Sequence, residues 1–156
     1  IIKAILHLCE TNNIPSFIDP KFSNFFAYKN CTMFKPNLLE ASIALSRELG
    51  SVEEYSSAAK ELKKLLKANS ILITLSAEGM LLLNEVDEIH HIPTKAVEVA
   101  DVSGAGDTVI STLVAMKISG ATILEAINLA NEAAGVVVTE VGIIPITPNQ
   151  LVNTGI

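Results

Sequence analysis

Tryptophan is absent from the 156 residues, and phenylalanine and tyrosine bring aromatic content to only 4%. A platform on which bases or sugar rings stack needs several aromatic side chains, so recognition of that kind is excluded. Positive charge is also scarce: 11 Lys and Arg stand against 17 Asp and Glu, a formal charge of -6. The broad attraction to a phosphate backbone is therefore missing, and nucleic acid is not an expected partner. Cys9 and Cys31 are the two cysteines. They form no C-x-x-C and join no histidine at metal spacing, so a disulfide framework is excluded and both read as reduced, buried thiols of an intracellular protein. His7, His90 and His91 show no metal spacing either and receive no role. Mean hydropathy is +0.44, yet charged or polar residues interrupt every apolar run before the roughly 18 to 20 residues that cross a bilayer. No transmembrane helix and no membrane partner are expected. The opening residues, Ile1 to Glu10, lack an initiator Met and the order of a signal peptide. They look like the middle of an amphipathic helix, so the chain is expected to begin inside a domain.

What remains is a strongly apolar chain with strand and helix patterns in alternation. A helix through about Thr11 leads to a short strand in Ile14 to Asp19, ended by the carboxylate of Asp19 and the Asp19-Pro20-Lys21 turn. An irregular Phe-rich loop precedes a second strand, Cys31 to Lys35. Pro36-Asn37 then opens a helix over Leu38 to Leu49, stopped by Gly50. Val52 to Lys67 reads as a longer helix, and Ile71 to Leu75 as a continuous apolar run typical of a strand covered on both faces. Ser76 to Gly79 is a turn. Met80 to Leu83 with Glu88 to Ile92 reads as a hairpin, Val97 to Ala100 as a further strand. Helices over Thr108 to Ile118, ended by Gly120, and over Thr122 to about Val138 precede a strand near Ile143 to Ile146. This order predicts an α/β fold, a doubly wound, mostly parallel sheet with helices on both faces and ligands at the carboxyl ends of the strands.

The densest chemical signal is Asp101-Val-Ser-Gly-Ala-Gly-Asp107 running into a helix. Glycines let the backbone turn sharply and aim successive N–H groups outward at a helix N-terminus, which attracts an anion. Valine at 109 rules out the dinucleotide pattern G-x-G-x-x-G, and no Gly-Lys-Ser/Thr follows for a phosphate-binding P-loop. Asp107 stands directly after the glycines. A carboxylate there can accept the proton of a hydroxyl while the amides hold the phosphoryl group it attacks; alternatively it caps its helix.

These residues carry a resemblance. Asp101-Val-Ser-Gly-Ala-Gly-Asp-Thr-Val-Ile-Ser111 is similar to the second signature of the ribokinase-like (PfkB) carbohydrate kinases. Phe17 to Lys21, Lys35 to Glu40, Thr74 to Met80 and Leu129 to Val138 fall in that family's order. Within the family the likeness is greatest to the branch that phosphorylates heptose 7-phosphate, alone or as the kinase half of a bifunctional kinase/adenylyltransferase. Asp-Pro-Lys at 19 to 21, Thr108 to Thr112 and the Ala-Ala-Gly-Val-Val-Val run favour that branch. The resemblance implies a cytoplasmic enzyme that moves the γ-phosphate of ATP to the anomeric hydroxyl of the sugar, in ADP-heptose and lipopolysaccharide core synthesis. Its implied partners are a nucleotide and a phosphorylated sugar, with a homo-oligomer as the assembly. A ribokinase- or fructokinase-like kinase, and a non-catalytic nucleotide-binding or interaction fragment, are the alternatives.

The same resemblance implies roles for residues. Asp107 is the base; Gly104, Ala105 and Gly106 form the anion hole; Asn37 and Glu40 help hold Mg²⁺ and the nucleotide phosphates, or else form only a capping box. Thr74, Ser76, Glu78 and Gly79 border the nucleotide, or are only a turn. Asn131 lies near the adenine, or bonds a neighbouring backbone group. Asp101 matches a region that binds a monovalent cation, K⁺, in several relatives. Lys21 could meet a phosphate, or is a solvated loop lysine. The family's sugar site and lid precede the first residue of this chain, so turnover is expected of a parent protein rather than of residues 1–148 alone, with 149–156 as a tail.

Overall fold

The computed structural model describes residues 1–94 and 99–152, of Val152 the backbone only. The chain divides into two compact units, one of Ile1–Ser76 with Met80–His91, the other of Ala77–Gly79 with the chain from Ile92 onward.

The first unit is built on a mixed sheet in the order β1-β2-β3-β4-β5. Strands β1 (Phe17–Ile18), β2 (Met33–Phe34) and β3 (Ser70–Thr74) are parallel, β4 (Met80–Leu83) runs antiparallel to β3, and β5 (Ile89–Ile92) lies beside β4. Side chains alternate across a strand, so Phe34, Ile71, Ile73, Leu81 and Leu83 share one face. They join one cluster with Leu6 of α1 (Ile2–Thr11), Ala41 of α2 (Leu38–Leu45), and Tyr55, Ala58, Ala59, Leu62 and Leu66 of α3 (Val52–Leu66). Each such large side chain contributes about 1.5 to 3 kcal/mol by leaving water. Leu72 and Leu82 point the other way and are also fully buried. The unbroken apolar run at Ile71 therefore marks a strand buried on both sides. Helix α3 starts where Ser51 accepts from the Glu54 amide at 3.3 Å, with Glu53 and Glu54 in its first turn and Lys63 and Lys64 in its last, each matching the sign of the helix dipole there.

The second unit holds α4 (Ala105–Ile118), α5 (Ile123–Val137) and α6 (Pro148–Val152). Helix α4 packs on α5, with Val109, Leu113, Ala126, Ile127, Ala130 and Ala133 buried. Gly120, at φ 93°, supplies the left-handed residue that ends α4. Thr122 and Glu125 then form a complete capping box that starts α5. The Thr122 hydroxyl and amide hold the Glu125 carboxyl below its usual range, with the Lys117 charge adding to the effect.

Several boundaries depart from the sequence pattern for identifiable reasons. Strands β1 and β2 are only two residues long, and just before them Ser16 and Thr32 exchange side-chain for backbone bonds at 2.9 and 3.2 Å. The Phe-rich loop contains a 3₁₀ segment, Phe22–Ala27, whose Phe25 is buried edge-on against Phe34 at 4.9 Å. Helix α2 stops at Leu45, not Leu49, because Ser46 takes the left-handed conformation at φ 53°. The Gly50 amide instead donates to Glu54 at the start of α3. Helix α4 begins at Ala105 rather than Thr108. No strand forms over 143–146: Pro145 has no N–H to give a ladder, and Ile143 is 80% exposed. Of the strand expected at Val97 to Ala100, residues 97 and 98 lie outside the described residues, and Val99 and Ala100 are not in a strand. Cys31 is buried as expected, but Cys9 is only half-buried.

Candidate functional site

Parallel strands bring their carboxyl ends to one edge of a sheet, and the residues that follow them meet there. The Lys35 amide donates to Ile18 at 2.8 Å, and the Thr74 amide to Pro36 at 3.1 Å. Asn37 itself bridges Thr74 in parallel register. Continuing the pairing of Ile18 with Phe34 by one residue sets Asp19 opposite Lys35. The Lys35 ammonium, 3% exposed, forms an ion pair with Asp19 Oδ1 at 2.9 Å; the Asp19 carboxylate is 26% exposed.

Asn37 is the N-cap of α2. Its Oδ1 accepts from the Glu40 amide at 2.8 Å, and Glu40 Oε2 accepts from the Asn37 amide at 2.8 Å. The capping box is therefore complete. It uses one oxygen of Glu40; Oε1, and Nδ2 of Asn37, make no hydrogen bond among the described residues. Capping and a ligand role are thus compatible. Among the described residues no three His, Cys, Asp or Glu side chains gather to hold a metal ion. One free carboxylate oxygen suits Mg²⁺, which keeps most of its waters and leans on phosphate oxygens. Thr74 is half-buried at the end of β3, and Ser76 is exposed with φ 55°.

In the second unit, Gly104 is the N-cap of α4 at φ 81°, a conformation that favours glycine. The Ala105 amide donates to the Val102 carbonyl at 3.2 Å and the Thr108 amide to Gly104 at 2.9 Å. Those of Gly106 and Asp107 have no hydrogen-bond partner among the described residues, as the first turn of a helix dictates. Within the expected anion hole, Ala105 therefore spends its amide on the turn itself. Asp107 is the third residue of α4, exposed, with no hydrogen bond or ion pair of its carboxylate among the described residues.

Asp101 holds the approach to this turn. Its Oδ1 accepts from the Ser103 amide at 2.9 Å and its Oδ2 from the Gly142 amide at 3.2 Å. The Ser103 hydroxyl, then the Ser103 and Gly142 amides, keep its carboxyl below the usual range. Asn131 is buried, its Nδ2 donating to the Pro93 carbonyl at 3.0 Å and its Oδ1 accepting from the Thr94 hydroxyl at 3.4 Å. Of the two readings of Asn131, the structure displays the backbone bond. Gly79, at φ 91°, meets the same segment: a Cβ there would lie 2.0 Å from the Ile92 oxygen and 2.7 Å from the Thr94 nitrogen. The close approach that its glycine allows is to the chain itself. Glu78 is exposed in the short 3₁₀ turn Ser76–Glu78.

The structure thus gathers Asn37, Glu40 and Thr74 at one strand edge in the first unit. In the second it gathers Asp101 and Gly104 to Asp107 at the head of α4. The Asp19–Lys35 pair carries no role in the sequence reading. The available signal was a lysine placed between a strand and Pro36, where apolar residues dominate. Gly142 is likewise assigned nothing by its own sequence context.

An α/β sheet with a strand-end polar cluster, and a glycine turn with an outward carboxylate, is the architecture of a ribokinase-like kinase domain. The profile of the pfkB family carbohydrate kinases matches residues 1–150, and the chain belongs to that family. It is 44% identical over 142 residues to the "Bifunctional protein HldE" of Campylobacter concisus, covering 91% of this chain and 30% of that protein. With the protein of the same name from Vibrio parahaemolyticus it shares 41% over 141 residues, covering 90% and 29%. The chain thus spans under a third of the length of these relatives. Among solved structures, phosphofructokinase-2 from Escherichia coli in complex with potassium superposes with a TM-score of 0.85 at 19% identity, covering 97% of this chain and 50% of that one. Arabidopsis thaliana ribokinase complexed with ribose and ATP gives 0.82 at 21%, covering 96% and 50%. At such identities these two likenesses establish the fold. Among the described residues no helix is long and apolar enough to cross a membrane.

Proposed function

We propose that this chain is the nucleotide-binding portion of a kinase that transfers the γ-phosphate of ATP to the anomeric hydroxyl of D-glycero-β-D-manno-heptose 7-phosphate. The product, the 1,7-bisphosphate, would feed ADP-heptose and lipopolysaccharide core synthesis in the cytoplasm. Family membership supports the phosphotransfer, and the HldE relatives support the heptose. The single observation that carries the reading is the pairing of free amides at Gly106 and Asp107 with an exposed, unengaged carboxylate in the same helical turn. Amides fixed at a helix N-terminus stabilise the charge of a migrating phosphoryl group at no cost of reorganisation. The Asp107 carboxylate takes the proton of the attacking hydroxyl.

Asn37 and Glu40 hold Mg²⁺ through water and phosphate, the ion supplying charge neutralisation on the nucleotide. Thr74, Ser76, Glu78 and Gly79 border the nucleotide, Asn131 reaches it through the segment it fixes, and K⁺ binds near Asp101. A homo-oligomer is the proposed assembly. Asp107→Asn in the enzyme that carries this chain tests the assignment. Turnover is expected to fall about 100- to 10,000-fold while ADP affinity stays unchanged. Turnover within a few-fold of the unmodified enzyme would remove Asp107 as the base.

A further inference from the structure

A lysine ammonium with 3% exposure is an unusual occupant of a strand end, because removing it from water costs several kcal/mol, which a single ion pair does not reliably recover. Lys35 has three N–H donors, and among the described residues only Asp19 accepts from it. An apolar side chain would pack as well at no such cost. The pair also sits where ligands of parallel α/β sheets gather: Lys35 is two residues before Asn37, and the backbone bonds of Lys35 to Ile18 and Thr74 to Pro36 align it with the strand ends that carry Asp19 and Thr74. By strand alternation Lys35 projects from the face opposite Phe34, hence away from the cluster built on α1 and α3.

We propose that Asp19 and Lys35 form a counter-ion latch on the nucleotide site, in which Lys35 is the cation that meets a nucleotide phosphate and Asp19 the internal anion with which that phosphate competes. This rests on the reading of the Asn37–Glu40–Thr74 edge as a nucleotide site. In the free protein Asp19 supplies the negative charge that a buried ammonium requires, and its own partial exposure leaves it able to swing toward water. An arriving phosphate offers oxygens to the two remaining N–H groups and takes over the compensation. The latch keeps the site from holding stray anions and makes affinity depend on phosphate charge.

The latch predicts opposite signs for its two members, which a structural ion pair does not. Binding of Mg²⁺-free ADP and of adenosine would be measured calorimetrically on the enzyme that carries this chain. Lys35→Met is expected to weaken ADP about tenfold, the strength of one charge-assisted bond, and to leave adenosine unchanged. Asp19→Asn is expected to tighten ADP several-fold, and the double variant, which buries no charge and so guards against misfolding, to match Lys35→Met. Weakening of ADP by Asp19→Asn, or equal loss of ADP and adenosine in Lys35→Met, overturns the latch while leaving the nucleotide site standing. If the unmodified enzyme binds neither compound, both the site and the latch fall.

Discussion

Asp101 reaches across 41 residues to Gly142: its Oδ2 accepts from the Gly142 amide at 3.2 Å while Oδ1 accepts from Ser103. The next residue, Ile143, lies 3.3 Å from where a Cβ on Gly104 would be. The chain after α5 therefore braces the glycine turn from behind, and a carboxylate supplies the tie.

The tie has a pH dependence of fixed sign. Hydrogen bonds from Ser103 and Gly142 depress the Asp101 pKa in the folded state. The unfolded chain thus takes up a proton first as pH falls, and the contribution is fully present above the ordinary carboxylate range. It disappears as pH drops below the ordinary carboxylate range and through the depressed folded value. Urea midpoints across that window are expected to fall less steeply for Asp101→Asn than for the unmodified protein. Parallel curves would show that the carboxylate is not held.

Two glycines with the same backbone sign separate conformational cost from collision. Gly79 and Gly120 have φ 91° and 93°, but a Cβ on Gly79 would strike the Ile92 oxygen at 2.0 Å, whereas one on Gly120 meets nothing within 4 Å. Gly120→Ala should cost only the left-handed penalty, about 1 to 2 kcal/mol. Gly79→Ala must also displace the 92–94 backbone and should cost about 3 kcal/mol or more. Equal unfolding midpoints for the two would contradict the close approach.

The thiols should react in sequence. Cys31 is fully buried, and burial pushes its pKa up to about 11, so almost no thiolate is present near neutral pH. Cys9 is half-buried on α1. Alkylation followed by mass spectrometry at pH 8 is expected to label Cys9 in the folded protein and Cys31 only in denaturant. Comparable rates at both would mean that the strand end at Cys31 opens freely.

Local rules made the α/β order legible: the apolar run at Ile71 and the glycine after α4 each act over a few residues. The Ser16–Thr32 exchange beside the two-residue strands was not legible, because it joins positions sixteen apart. Pro145 carried the warning against a strand at 143–146, but the flanking isoleucines outweighed it in a pattern that counts hydrophobicity. At the site, Asp107 and its glycines were legible because the turn and the helix start are local. The Gly142 tie and the Lys35 ion pair were not, since each depends on a partner brought by the fold.

Asn37 allows capping and ligand binding to be measured apart. Its Oδ1 takes the Glu40 amide, and Glu40 returns the bond, so Asn37→Ala deletes the cap and should cost about 1 to 2 kcal/mol of stability. Serine is an equally good N-cap, so Asn37→Ser should restore stability to within a few tenths of a kcal/mol. Its shorter hydroxyl cannot reproduce the amide's reach, so it should not restore the interaction proposed with Mg²⁺ and the nucleotide phosphates. Mg-ATP affinity is then expected to drop about tenfold or more in both variants, while only Asn37→Ala loses its unfolding midpoint. If Asn37→Ser binds Mg-ATP as the unmodified protein does, the side chain is a cap and nothing more. Glu40→Gln supplies the matching measurement: it keeps an acceptor for the Asn37 amide but removes the charge, so it too should weaken Mg-ATP at nearly unchanged stability.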